Sequence, residues 1–502
     1  MPAKLIMIQG TASSVGKSIL VAALCRIFHQ DGYRVAPFKA QNMALNSFVT
    51  NEGGEIGRAQ AVQAEAANIE SSVHMNPVLL KPEGNTVSQL IVLGKAKRKV
   101  KAAEYYQYTP QLLKIIEKSL YRLRSLYDIV VIEGAGSPAE INFRDREIAN
   151  MRIARLFKVP VLLVADIDRG GVFASLVGTL HLLSAEERRL VKGFIINKFR
   201  GDANLLKPGF SLLKSYTRKP ILGVVPYINY INLAQEDSVF LEERPSPVRD
   251  DNLQIAVIRL PHISNYDDFD PFEQLGCAVH YVSKASELDA VDLIIIPGTK
   301  TTVSDLCYIK SNGIAAKIVE KANAGVPVIG ICGGYQMLGK KIIDLQEVES
   351  EIDQIEGLGL LDHVTSFIQH KTTNQIKAKV VANSGLLESM TSMEVHGYEI
   401  HMGHSQNSSC DPVFEITVAN KKDNHFDGSI SKNGLIMGTY IHGLFHSIPF
   451  TDKLLNRLRI LHGKPIKHNI SVDRQVHYEK LADIVRETVD ITKIYQITAR
   501  QP

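Results

Sequence analysis

Residues 5–28 read LIMIQGTASSVGKSILVAALCRIF. An apolar run ends in a glycine-containing loop, and the loop opens directly onto an amphipathic stretch. Strand, loop and helix in this order belong to a parallel sheet, with the loop at the carboxyl edge of a strand. The loop N–H groups and the helix N-terminus together offer donors and partial positive charge to phosphate oxygens. Lys17 is placed to reach the outer phosphates of a nucleotide, and Ser18 to offer its hydroxyl to Mg²⁺. The common motif has four residues between its first glycine and Gly-Lys-Ser/Thr. Here five residues separate Gly10 from Gly16.

The same strand–helix alternation continues through the first half. KLIMIQ, RVAPFK, DIVVIEG, VPVLLVADI, VKGFIINKF and PILGVVP are short apolar runs, with SILVAALCRIFHQ and PQLLKIIEKSLYRL as amphipathic stretches among them. Nearly continuous apolar character predicts strands buried on both faces, hence a parallel sheet wound on both sides by helices. Glu133 ends DIVVIEG and is followed by Gly134 and Gly136. A strand-end carboxylate is what a metal-bound triphosphate requires, which makes Glu133 a candidate metal ligand beside Ser18. Asn197 ends another run. Its amide could read a purine edge, or the position could be an ordinary turn.

LEERPSPVRDDN, residues 241–252, breaks the pattern with charge and two prolines and reads as a linker. A second α/β series follows, with IAVIRL, AVHYV, VDLIIIPG and VPVIGI, then QIKAKVV, GYEIHMG, VFEITVA and GLIMGTYIHG. The expected division is a nucleotide domain at 1–240, the linker, a second domain at 253–448 and a helical tail at 449–502. Inside the second domain, VPVIGICGGYQMLG sets Cys332 between Gly330 and Gly334 at a strand-to-helix turn. Glycines so placed permit the sharp turn that exposes a nucleophile. The N–H groups that follow, Gly333 first, would face an oxyanion, and a helix start favours negative charge. Gly298 and Thr299, at the end of VDLIIIPG, could complete the oxyanion pocket. A thiol nucleophile needs a base. His442, His446, His396, His401 and His404 are all available in sequence.

The bulk composition limits the partners. A net charge of +4 over 502 residues gives no basic surface for nucleic acid. No run of eighteen apolar residues would span a membrane. Five widely spaced cysteines without a CxxC pair indicate neither a disulfide framework nor zinc. A cytoplasmic protein is expected. Two sites in one chain suggest a coupled reaction, in which one domain releases ammonia from an amide and the other uses ATP to activate a carboxylate.

At this level of detail the chain resembles the cobyric acid synthase family, the glutamine-hydrolysing amidotransferases of cobalamin biosynthesis. GTASSVGKS, FKAQNMALNS, EIGRAQAVQAEAA, EGAGSPAEINFRDREIANM, DIDRGGVFASLVGT, GICGGYQMLG, GYEIHMG and GTYIHGLF carry the resemblance, which covers about residues 3–448. It implies a dethiobiotin-synthetase-like P-loop domain followed by a class I-type glutamine amidotransferase domain, both doubly wound α/β. The implied reaction is ATP-dependent amidation of carboxylates b, d, e and g of adenosylcobyrinic acid a,c-diamide through acyl phosphates, with Mg²⁺ as the metal. The five-residue spacer after Gly10 resembles the dethiobiotin-synthetase loop. The resemblance puts ATP binding on Gly10, Thr11, Ser14, Val15, Gly16, Lys17 and Ser18. It makes Cys332 the nucleophile and His442 its base. Lys39, Gln41, Asn42, Asp145 and Arg146 become candidates for substrate or phosphate contact. The wider class I enzymes place a Glu two residues after the base. Gly443 and Leu444 follow His442 here, so a Cys–His dyad is implied, with Glu399 of GYEIHMG as a candidate orienter. Two alternatives are a related amidotransferase such as the a,c-diamide synthase, against which FKAQNMALNS stands, and a ParA-like switch ATPase, which would have no use for a cysteine elbow.

Overall fold

The computed structural model describes residues 2–83, 86–144, 146–228, 253–407, 409–418, 424–467 and 473–500. The expected linker at 241–252 and the candidate Asp145 lie outside the described residues. The chain forms two compact units. The first comprises Met1–Ala44, Glu55–Asp237 and Asp473–Pro502, and the second Leu45–Gly54 and Ser238–Val472.

The division differs from the contiguous one expected. Leu45–Gly54 leaves the nucleotide unit for the other. The C-terminal segment is split, with the helix Ile448–Leu461 in the second unit and the helices Arg474–Thr488 and Ile491–Ala499 in the first. Side-chain packing explains the second difference. Tyr478, Leu481, Ala482 and Val485 are buried in the core that also holds Leu20, Leu24 and Phe28 of the helix Lys17–Gln30. Arg26 adds a bond to Gln475 at 2.9 Å and an ion pair with Glu479 at 3.2 Å.

The central sheet of the first unit runs, in spatial order, Ile221–Pro226, Val191–Phe199, Val161–Asp166, Lys4–Gly10, Ile129–Glu133 and Val35–Phe38. All five pairings are parallel. Successive residues face opposite sides of a strand. Leu5 and Met7 accordingly enter one core, and Ile6 and Ile8 the other. Both faces are covered, which is why these strands read as unbroken apolar runs. Chain order reverses around Lys4–Gly10, so the loop after that strand opens at the switch point where α/β sheets bind ligands. A smaller sheet of Gln41–Met43, Val78–Pro82, Val87–Val92 and Lys95–Lys101 stands beside it in the same unit.

The second unit has its own six-stranded sheet, in order Ala278–Val282, Gln254–Ile258, Leu293–Ile296, Val328–Ile331, Ile436–Thr439 and Ser429–Ile430. Only the last pairing is antiparallel. A further sheet is built on the long strands His363–Val380 and Glu394–Asn407 and ends on Ile441–His442. Among the described residues no helix is long and apolar enough to cross a membrane.

Candidate active site

In the first unit the loop from Gly10 to Gly16 joins the central strand to the helix Lys17–Gln30. Gly16 has φ of 94°, a left-handed conformation that glycine adopts without strain. A Cβ at this position would also collide with the Asn197 amide. Asn197 Nδ2 donates to Val15 O at 2.8 Å, so this side chain braces the loop. Thr11 N donates to Val164 O at 2.9 Å, fixing the loop's start against the neighbouring strand. Lys17 Nζ donates to Ala12 O at 2.9 Å and to Gly136 O at 3.0 Å, which folds the lysine over the cradle.

Ser18 and Glu133 are brought together as expected of a metal pair. Ser18 Oγ donates to Glu133 Oε1 at 2.8 Å. Lys39 Nζ donates to the same oxygen at 2.9 Å, and Gln63 Nε2 to Oε2 at 2.6 Å. Burial pushes the Glu133 carboxyl up, but the Lys39 charge and the three donated hydrogen bonds outweigh it and hold the group below its ordinary range. An ionised carboxylate next to a hydroxyl suits Mg²⁺, which takes few protein oxygens and completes its shell with water and phosphate. Gln63, in EIGRAQAVQAEAA, was not singled out in the sequence. Its spacing in a buried helix carries no chemical signal until the fold sets it against Glu133.

The other predicted residues of this unit divide. Lys39 reaches the Glu133 cluster. Gln41 accepts from Tyr105 Oη at 2.5 Å, and Asn42 donates to Gln60 at 3.0 Å. Arg146 lies over the Tyr106 ring, 5.2 Å from its centre. None of these last contacts joins the phosphate loop.

In the second unit Cys332 stands between the strand Val328–Ile331 and the helix Gly333–Leu338, with φ 50° and ψ −107°. This strained turn follows from local sequence. Gly334 packs against the carbonyl of Ile296, where a Cβ would collide. Cys332 N donates to Thr439 O at 2.8 Å, tying the turn to the adjacent strand. Gly333 sits against Thr299, so the predicted oxyanion residues meet at one place. Gly298 is there for a different reason. A Cβ on it would lie 2.7 Å from His442 Cε1.

His442 ends the sheet edge Ile441–His442 and interacts electrostatically with Cys332, whose Sγ donates to Ile400 O at 3.7 Å. Its Nδ1 bonds Asp268 Oδ2 at 2.7 Å, while Gly443 N donates to Asp268 Oδ1 at 2.7 Å. Burial opposes a charge on the imidazole, but the Asp268 carboxylate and the cysteine outweigh it and raise the imidazole above the range of free histidine. The arrangement is therefore a Cys–His–Asp triad rather than a dyad. Glu399 is not the orienter. Tyr398 pairs in register with His442, so the next residue points to the other face of the strand. Glu399 there accepts from Asn374 at 3.1 Å and pairs with His425 at 3.3 Å. Of the competing histidines, His446 pairs with Asp267 at 3.7 Å and His401 stacks on Tyr440.

A phosphate-loop unit and a cysteine-elbow unit in one chain define the class of glutamine-dependent amide ligases. Residues 6–239 match the family described as the CobQ/CobB/MinD/ParA nucleotide binding domain, and residues 254–450 the CobB/CobQ-like glutamine amidotransferase domain. The cobyric acid synthase of Dehalococcoides mccartyi is 56% identical over 496 residues, spanning 99% of this chain and 98% of that one. Those of a Thermoanaerobacter species and of Photorhabdus laumondii are each 50% identical, over 99% and 98% of this chain and 99% and 97% of theirs. The chain belongs to the cobyric acid synthase family.

Proposed function

We propose that the chain amidates carboxylates b, d, e and g of adenosylcobyrinic acid a,c-diamide to give adenosylcobyric acid, with one ATP and one glutamine for each. The Cys332 thiolate attacks the glutamine carboxamide carbon. N–H groups around Gly333, Gly298 and Thr299 receive the developing oxyanion. His442 protonates the departing ammonia and then activates water against the thioester, with Asp268 holding its tautomer and supporting its charge. At the other site the acceptor carboxylate takes the terminal phosphoryl group of ATP, and ammonia displaces phosphate from the acyl phosphate. Lys17 and the loop N–H groups bind the phosphates. Mg²⁺, held by Ser18 and Glu133, would supply charge neutralisation on the phosphates. Lys39 is placed beside that charge. Gln41, Asn42, Asp145 and Arg146 are assigned to the acceptor side. The cytoplasm is the compartment we assign to the reaction, in keeping with five cysteines that form no disulfide framework.

The observation that carries this reading is the buried Cys332–His442–Asp268 triad in a chain that also builds the Lys17–Ser18–Glu133 cluster. Mass spectrometry of the diamide after incubation with ATP, Mg²⁺ and glutamine tests it. Four successive exchanges of OH for NH₂ are expected. An unchanged diamide, or amidation only when the a and c groups are free acids, would refute it.

A further inference from the structure

The turn after the strand Leu293–Ile296, from Gly298 to Lys300, is fastened to the segment His262–Ser264. Ser264 N donates to Gly298 O at 2.9 Å, and Lys300 N donates to His262 O at 3.1 Å. These two bonds flank Thr299, which faces Ile263 across an antiparallel bridge. A pair set between such bonds exchanges none of its own, so the Thr299 N–H turns away from Ile263. It turns toward the elbow. Thr299 N lies 3.2 Å from where a Cβ on Gly333 would stand. The Thr299 side chain is held as well. Its Oγ1 lies 2.5 Å from Asp305 Oδ2 and 3.0 Å from His262 O, and its single proton goes to the carboxylate, the nearer and charged acceptor. Asp305 is fully buried on the helix Thr302–Ser311. The same carboxylate accepts from His262 N at 3.1 Å and bonds His262 Nδ1 at 2.8 Å. One side chain thus grips both halves of the bridge. The helix that carries it is tied to the elbow helix, because Thr302 Oγ1 donates to Gln336 Oε1 at 3.0 Å.

We propose that Asp305 is a positioning residue of glutamine hydrolysis. Through Thr299 and His262 it aims the Thr299 N–H at the oxygen that becomes negative when Cys332 attacks the carboxamide. The proposal rests on the reading of Cys332 as a glutaminase nucleophile. A donor to an oxyanion is effective when it is in place before the charge develops. Gly298 cannot carry a side chain, because His442 occupies the space a Cβ would take. The turn therefore has no packing of its own at that position. Asp305 supplies the hold from the opposite side, bound to the hydroxyl of the residue whose N–H must be aimed. The effect belongs to the transition state. The amide oxygen of bound glutamine is a weak acceptor and the tetrahedral oxygen a strong one, so kcat carries the loss and KM does not.

Steady-state glutamine hydrolysis by the full-length enzyme, with ATP, Mg²⁺ and the diamide saturating, tests this. Thr299→Val keeps the shape of the side chain and removes the hydroxyl. Thr299→Ser keeps the hydroxyl. Asp305→Asn keeps an acceptor and removes the charge. In Thr299→Val kcat should fall about ten- to hundredfold, less than the loss of a whole oxyanion donor, with KM for glutamine within about twofold of native. Thr299→Ser should return kcat to near native. In Asp305→Asn kcat should fall about fivefold, as a neutral bond replaces a charge-assisted one. The aldehyde analogue of glutamine, which Cys332 captures as a tetrahedral adduct, should bind more weakly in step with kcat across the three variants. Ammonia-driven synthesis should match the native enzyme throughout. Native kcat in Thr299→Val or in Asp305→Asn, a Thr299→Ser no better than Thr299→Val, KM rising as far as kcat falls, or an equal fall in ammonia-driven synthesis overturns the proposal. Cys332→Ala separates the two readings. If it still hydrolyses glutamine, the nucleophile assignment fails. If it does not while Thr299→Val behaves as native, only the role of Asp305 fails.

Discussion

Asp268 decides the protonation of the glutaminase site. Its carboxylate favours the charged imidazole and so raises the pKa of His442. Asp268→Asn removes that charge, and the imidazolium is then lost at lower pH. The alkaline limb of the pH profile for glutamine hydrolysis should move toward acid, and kcat should fall by roughly 10²–10⁴ as the tautomer is lost. Ammonia-driven synthesis should remain. An unmoved profile would show that another group supports His442. This residue was not legible in the sequence. It lies 174 positions from His442, inside the acidic run NYDDFD, and only folding tells its three aspartates apart. Glu399, the candidate from GYEIHMG, lies on the strand that pairs with His442, and the two-residue period of that strand turns it away. Cys332, by contrast, was legible because its neighbours must be glycine for steric reasons that act within a few residues.

At the scale of elements, the two loops make the same demand in different ways. The phosphate loop depends on Gly16, whose positive φ and close approach to Asn197 both exclude a side chain. Gly16→Ala should abolish binding of a fluorescent ATP analogue while leaving alkylation of Cys332 by a glutamine-like chloroketone intact. Lys17→Ala should keep the fold and lose both glutamine- and ammonia-driven synthesis. Loss of the glutamine-driven reaction alone would argue against a phosphate role. All six runs read as strands in the first half are the six strands of its parallel sheet, because burial on both faces keeps them mostly apolar, with polar residues such as Glu133 and Asn197 near their carboxyl ends. The smaller sheet escaped reading for the opposite reason. Gln41–Met43 is short and mostly polar, and Lys95–Lys101 is an exposed, largely cationic strand at the sheet's edge. Positive charge there blocks edge pairing and hides the strand's pattern.

For the molecule as a whole, the two chemistries should separate cleanly. Cys332→Ala is expected to lose glutamine-dependent amidation and to keep synthesis with added ammonium, measured as amide formation on the corrinoid. Removal of residues 473–502 should act on the other unit. Tyr478, Leu481, Val485 and Ile494 are all but fully buried against it. Their loss costs on the order of 5–10 kcal/mol, comparable to the stability of a domain. The truncated chain should lose nucleotide binding and the corresponding thermal transition while Cys332 remains reactive.

The exchange of segments between the units also sets a timetable. The ribosome delivers the phosphate loop before the glutaminase unit, yet the helices that cover its supporting helix come after that unit. Domains usually fold as they emerge, N-terminal first. Here the half begun first is finished last, after the whole glutaminase has been threaded through the middle of it. A nascent chain therefore holds a complete cysteine elbow before it holds a complete ATP site.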